Sequence, residues 1–330
     1  MPSLDMPRSK LATSIARPCN RRNSAAVFVL SIGASLSTSM AVAAEPPQCA
    51  MTHAFDQADK DAAKGTTPVW SDEEGNLMFI APLNVNTDGT RRSYSVSDFW
   101  GQTNALNNLC NAMSDGCEGL GKEALKRRRL MTQAAAAAQW PKDQLAATNL
   151  SSQIIPMPGG KPCAEVDGFL VSSTALHKPV VSNACDISNY IDALKVPALV
   201  IPKDPKGGQS LFSKRGAKVG DLVIAMPSDT SRTVPGVVGD TGPVNLLGEA
   251  SIAMNAKLLG KTVEPKNYPD VLKGWQAPRS FVLIFAKSRN TADPFMTQAR
   301  IEPEAVKRFD AWGGQARARA CVKAYTQTLR

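Results

Sequence analysis

The chain has 330 residues, of which 43% are hydrophobic and 20% charged, with a formal net charge of +9. That balance excludes a disordered or collagen-like chain and leaves room for one or two domains with a substantial core. The basic excess is compatible with an acidic partner, yet no DNA- or RNA-binding signature accompanies it, so nucleic acid is not an expected partner.

Residues 1–44 read as an export signal. Arg17, Arg21 and Arg22 form a basic lead, Ala25 to Val42 is an apolar run broken by serines, and Val42-Ala43-Ala44 fits a signal-peptidase site. The run is short and weakly apolar for a membrane span, so stable membrane insertion after cleavage is not expected. A secreted or periplasmic location is. Losing the segment removes five basic residues and one acid, which lowers +9 to +5. It also removes Cys19 and leaves six cysteines: Cys49, Cys110, Cys117, Cys163, Cys185 and Cys321. An even set in an exported chain implies disulfides, with several connectivities open. The expected set is Cys110–Cys117, Cys163–Cys185 and Cys49–Cys321. There is no CxxC pair, and the only histidines are His53 and His177, so neither a metal nor a cofactor is expected.

Residues 45–330 read as one domain. A polar, alanine-rich stretch from Glu45 to Gly65 suggests a short helix, and Asn76 to Asn86 a strand closed by the turn Thr87-Asp88-Gly89. Helical patterning from about Gln102 to Leu145 predicts a helical insertion. Within it, Lys126 to Arg129 reads as a solvated basic face. The second half is strand-rich, with short apolar runs at Gly168–Ser173, Val196–Ile201, Gly220–Met226, Gly236–Gly239 and Ser280–Lys287. Lys203–Gly208 is a loop, Ile252–Leu259 a helix, and Pro303–Thr328 a helical region broken at Gly313-Gly314. Many short strands with few helices between them predict an α+β, β-rich fold with a partly closed β-barrel core and flanking helices.

The chemistry concentrates in Val237-Val238-Gly239-Asp240-Thr241-Gly242-Pro243, followed by Gly248-Glu249-Ala250-Ser251. Two acids, one from a strand end and one from a helix start, are what acid/base cleavage of an acetal requires. Glu249 shares a helical stripe with Ile252, Ala253 and Ala256, so its carboxyl is expected in a partly apolar setting that suits a general acid. The helix dipole opposes that effect. Asp240, in a polar turn, is expected to be hydrated and ionised, as suits a general base. The bland reading makes Asp240 a turn former and Glu249 a first-turn helix acid. Asp221 and Asp192 are the next acids of interest, each with an equally bland reading. The five tryptophans (Trp70, Trp100, Trp140, Trp275, Trp312) are core candidates first and sugar platforms second.

Gly239-Asp240-Thr241-Gly242 followed by Leu247-Gly248-Glu249-Ala250-Ser251 resembles the signature of the family 75 glycoside hydrolases, the fungal-type chitosanases. Tyr190 to Pro202 resembles a family segment that leads into a proline-containing strand. Leu83 to Gly89 resembles one in which aspartates alternate before Asp-Gly. The likeness spans Asn76 to Ser288. It implies an endo-acting, inverting hydrolase of β-1,4 linkages with Asp240 and Glu249 as the catalytic pair. Asp88, Asn84, Asn86, Asp192 and Thr241 become candidate substrate-binding residues, and the implied partner is chitosan or a related amino-sugar polymer. Asn84 and Asn86 stand where the family alternates aspartates. With a mature charge of +5, this leaves a partly acetylated or neutral glycan, or a wall polymer, open as the substrate. The rival reading is a non-catalytic carbohydrate-binding or cell-envelope protein on the same fold.

Overall fold

The computed structural model describes residues 48–59, 62–179 and 183–326. The expected export segment, 1–44, lies outside them. The described residues belong to one compact unit, Pro46–Arg330. Along the chain run β1 (Thr52–Ala58), β2 (Thr66–Ser71), β3 (Leu77–Asn86), α1 (Lys122–Ala137), α2 (Lys142–Thr148), β4 (Ala198–Pro202), α3 (Leu211–Lys214), β5 (Leu222–Pro227) and β6 (Val234–Gly242). After them come β7 (Glu249–Ser251), α4 (Ile252–Leu259), α5 (Tyr268–Gly274), β8 (Ala277–Phe285), α6 (Gln298–Trp312) and α7 (Gly314–Thr326).

Six strands close into a barrel in the order β3–β7–β4–β6–β5–β8, and β8 pairs back onto β3. β1 and β2 extend it at β3 as an antiparallel meander. The α+β, β-rich expectation holds, and the barrel is fully closed. The runs of β5 and β8 are apolar at nearly every position because both of their faces are covered. Phe79, Val223, Val238 and Ile284 form an inner layer with Met254 and Leu258 of α4. α4 touches all six barrel strands, which a helix can do only by plugging the barrel. Met78, Ile224, Val237 and Leu283 face outward, and Ile301 and Phe309 of α6 cover them. Each such buried side chain contributes about 1.5–3 kcal/mol.

All three expected disulfides form: Cys49–Cys321, Cys110–Cys117 and Cys163–Cys185. The first ties the start of β1 to α7, and Tyr325 reinforces that closure by donating its hydroxyl hydrogen to the Met51 carbonyl. No described helix is long and apolar enough to cross a membrane.

Three local expectations give way. Residues 52–58 are strand β1 and not a helix, because pairing with β2 overrides a weak alanine preference. Helix in the insertion starts only at Lys122. Before it, the Asp98 carboxylate accepts the backbone N–H groups of Gln102, Thr103, Asn104 and Ala105, which competes with helix formation, and Cys110–Cys117 closes a tight loop. Gly168–Ser173 is no strand. It makes isolated bridges, Tyr94 with Leu170 and Val166 with Phe169, and its backbone serves the site described next.

Candidate active site

Register brings the two motif acids together. On β4, Val200 pairs with Asp240 of β6 on one side and with Glu249 of β7 on the other, while Glu249 also pairs with Asn84 of β3. Residues paired across adjacent strands project from the same face. Asp240, Val200, Glu249 and Asn84 therefore form one row on the outer face of the barrel. Alternation along β3 puts Asn86 on that face too, leading toward Asp88 in the turn beyond.

Both acids sit in strands, which corrects two expectations. Asp240 is the third residue from the end of β6 and not part of a polar turn. Glu249 opens the three-residue strand β7 and not a helical turn, so the helix dipole is not aligned with it. The helix begins after Ser251, whose Oγ accepts the Met254 N–H at 3.2 Å as the cap of α4. The same oxygen accepts the Ala198 N–H at 2.9 Å and donates to the Val196 carbonyl at 2.8 Å. Ser251 thus fixes β7 against β4 two residues from Glu249. Gly248, at φ +84°, adopts a left-handed backbone where a side chain would run into the Pro82 carbonyl.

The Glu249 carboxyl leans over Val200 toward β6. A methyl group on Gly242 would stand 3.0 Å from Glu249 Oε2 and 3.1 Å from Val200 Cγ1. Gly242 lies two residues from Asp240 on the same face of β6, or about 6.6 Å along the strand. Glu249 thus reaches, across Val200, the face of β6 that carries Asp240.

A segment with no secondary structure stitches the site together. Asp240 Oδ1 accepts the N–H of Ala175 at 3.0 Å and that of Thr241 at 2.8 Å, and Leu176 N–H reaches the Gly239 carbonyl at 2.9 Å. Thr174 Oγ1 accepts the Ile191 N–H at 3.0 Å, and Ser172 Oγ accepts the Gly89 N–H at 3.0 Å. Residues 172–176 therefore join the Asp88 turn to the Asp240 strand. Gly89, at φ +81°, lies so close to the Ile191 carbonyl and Thr174 that only a hydrogen fits there.

The electrostatics depart from the expected hydrated base. Asp240 is only partly accessible, and burial raises its carboxyl from 3.8 to about 6 against the lowering effect of its two N–H donors. Asp88 is also raised well above its ordinary value, by burial first and then by the negative charges of Asp240 and Glu249. Hydrogen bonds from Tyr94 and Asn86 only partly oppose this. Asp88 Oδ1 is buried with no hydrogen-bond partner.

The remaining candidates separate. Asn86 uses its Oδ1 to accept the Asp88 N–H at 2.9 Å, which shapes the turn. Asp192 caps its own turn through the Leu194 N–H and pairs with Lys195 at 2.9 Å, so its charge is already engaged. Thr241 is adjacent to Asp240 but projects from the other face, where its side chain lines a separate cavity of about 380 Å³ with Lys218 and Arg289. Asp221 is fully buried, accepts the N–H groups of Lys218, Lys287 and Arg289, and pairs with Arg289, which makes it structural. Tyr94, Ser172 and Thr174 belong to the site and carry no sequence signal, because they lie in irregular segments without motif or period. Trp70, Trp275 and Trp312 are buried core residues, while Trp100 and Trp140 are half-buried. Among the described residues no group of three or more His, Cys, Asp or Glu could hold a metal ion. No protein-family model and no curated protein matches the chain.

Proposed function

We propose that the chain is an exported, inverting glycoside hydrolase resembling the family 75 chitosanases, acting on a β-1,4-linked amino-sugar polymer. The observation that carries this reading is the row Asp240–Val200–Glu249. Two carboxyls on one face, carried by the strands on either side of β4 with Glu249 leaning toward β6, can flank a sugar linkage and one water, as acid/base hydrolysis requires. Asp240, whose carboxyl burial raises to about 6, is suited to act as the general acid for the glycosidic oxygen. Glu249 then takes the proton of the attacking water. This allocation reverses the one suggested by a hydrated Asp240, because burial in a strand replaces the expected exposure of a turn. Asn84 and Asn86 put amides on that face, which favours a partly acetylated polymer over the fully cationic one. The three disulfides suit an oxidising, extracytoplasmic compartment.

The test is reducing-end release from partly acetylated chitosan and from peptidoglycan by wild type, Asp240→Asn and Glu249→Gln. Both variants are expected to lose at least about a thousandfold in kcat with polymer binding retained. Aryl glycosides with good leaving groups should restore Asp240→Asn but not Glu249→Gln, since only the former lacks the acid. Equal release by all three proteins overturns the reading.

A second reading, carbohydrate binding without turnover, is favoured by one observation. A cavity of about 660 Å³ is lined by Trp100 and Tyr268 and by Gln102, Asn108 and Asn111. Rings and amides of this kind suit sugar faces and hydroxyls. Binding with no turnover in wild type would select it.

A further inference from the structure

Asp88 is the acid that this two-carboxyl reading leaves without a task. It stands in the turn after β3, and a dense polar frame holds it. Its N–H is taken by Asn86, and Gly89 N–H by Ser172 Oγ. Ser172 Oγ donates to Ser93 Oγ at 3.1 Å, and Ser93 Oγ in turn donates to the Thr87 carbonyl. Tyr94, itself 2% exposed, hydrogen-bonds the Asp88 carboxyl, and Asn107 Nδ2 donates to the Tyr94 oxygen at 3.4 Å and to Thr87 Oγ1 at 3.2 Å. Such a frame holds the carboxyl in one place. Nothing in it supplies a positive charge.

The neighbouring charges are acidic. The negative charges of Asp240 on β6 and Glu249 on β7 both act on Asp88, and Tyr94 hydrogen-bonds it from its own loop. Arg91, the nearest guanidinium along the chain, is exposed and lines a separate cavity with Val166 and Asp186, and Arg92 is turned away. It donates to the carbonyls of Asn104 and Lys266 at 3.0 and 2.6 Å and pairs with Glu264 at 3.7 Å. Asp88 Oδ1 is meanwhile buried and unpartnered. A carboxylate oxygen in that position, beside two further acids, would carry an uncompensated charge. A neutral carboxyl carries none.

We propose that Asp88 works as a positioning residue in the form of a neutral carboxylic acid, holding Tyr94 and the turn beside the Asp240–Glu249 pair without adding a third negative charge. The inference rests on the hydrolase reading for its catalytic consequence only. Its claim about protonation stands by itself. In chemical terms Asp88 exchanges no proton with substrate. It occupies a place that a charged group would spoil and that an apolar group would leave without a partner for Tyr94. The raised titration of Asp88 agrees with this form.

The experiment has two arms. Carbon-13 NMR of aspartate-labelled protein, assigned with Asp88→Asn and Asp240→Asn, reads both carboxyls from pH 4 to 9. Asp88 is expected to stay protonated at pH 7, and the Asp240 midpoint in Asp88→Asn to stay within about 0.3 pH unit of wild type, since one neutral group replaces another. An ionised Asp88 at pH 7, or a downward move of the Asp240 midpoint by a full unit, overturns the proposal whatever the turnover. In the activity arm Asp88→Asn should keep kcat within about threefold and leave the pH profile in place, while Asp88→Leu should lose about thirtyfold or more. Loss in Asp88→Asn equal to that in Asp88→Leu, or full activity in both, overturns the positioning role. Should wild type hydrolyse no polymer, the hydrolase reading falls, and the NMR arm alone decides whether Asp88 is the neutral acid.

Discussion

Replacing Asp240 by asparagine should make the protein more stable as pH rises, and the structure sets the size of the effect. Burial raises this carboxyl from 3.8 to about 6. Below about pH 3 the folded and unfolded chains both hold the proton, and the group is neutral to stability. Between 3.8 and about 6 the unfolded chain ionises while the native site keeps its proton, so folding stability drains away over that interval. At about 1.36 kcal/mol per pH unit, the total is about 3 kcal/mol. Asparagine does not titrate, and its carbonyl can still accept the N–H groups of Ala175 and Thr241. The stability difference between Asp240→Asn and wild type should therefore start near zero at pH 3, rise through pH 4–6, and level off above pH 7 about 3 kcal/mol in favour of the variant. In thermal melts that corresponds to roughly 6–12 °C. Guanidinium titrations at closely spaced pH values measure it directly. A difference curve that is flat with pH would refute the claim that Asp240 is desolvated in the folded state, and with it the case for Asp240 as proton donor.

Three further outcomes follow from the same structure. Ser251→Ala removes the α4 cap and leaves the buried Ala198 N–H unmatched, which should cost about 2–3 kcal/mol in chemical denaturation, whereas a loss under about 0.5 kcal/mol would show that β7 is not held this way. Gly242→Ala places a methyl 3.0 Å from Glu249 Oε2, so turnover should fall about tenfold while the melting temperature changes little; unchanged kcat would mean that the Glu249 carboxyl does not lean over β6 when it acts. The double Cys49→Ser/Cys321→Ser variant opens a link spanning 272 residues and should lower stability by about 3–5 kcal/mol, read against the same protein under reducing conditions.

The sequence carried the apolar strands well, because β4, β5, β6 and β8 are runs that both barrel faces bury and that proline, glycine and aspartate interrupt. The body of α4 was legible, since Ser251 and Gly260 cap it at its two ends, but the helical turn expected at Glu249 is strand β7. The cysteine pairing was legible because two of the bridges are local and the third closes the ends. What stayed hidden has one physical cause: it depends on tertiary partners that no local pattern announces. β1 is alanine-containing and polar, and it is a strand only because β2 and α7 receive it. The segment 172–176 has no period, yet its amides and hydroxyls hold Asp240 and the Asp88 turn. Asp240 looked like a turn residue because Gly-Asp-Thr-Gly is turn chemistry. Pairing with β4 drew those residues into the strand and changed the acid from hydrated to desolvated.

A single inserted residue decides whether the site exists. β4 and β6 run in register from Ala198–Val237 to Leu199–Val238, then slip so that Val200 faces Asp240 and Gly239 is left over. Without that bulge Val200 would face Gly239, and Asp240 would pair with Ile201, whose side chain lies in the inner layer. The carboxyl would then stand where Thr241 stands now, in the cavity lined by Lys218 and Arg289, on the face opposite to Glu249. The bulge needs glycine, because a methyl at residue 239 would stand 2.6 Å from Ala198 Cβ, and its freed carbonyl needs Leu176 N–H. The glycine before the aspartate is thus the element that turns a structural strand outward into a candidate catalytic one, and the irregular segment at 172–176 is what keeps it there.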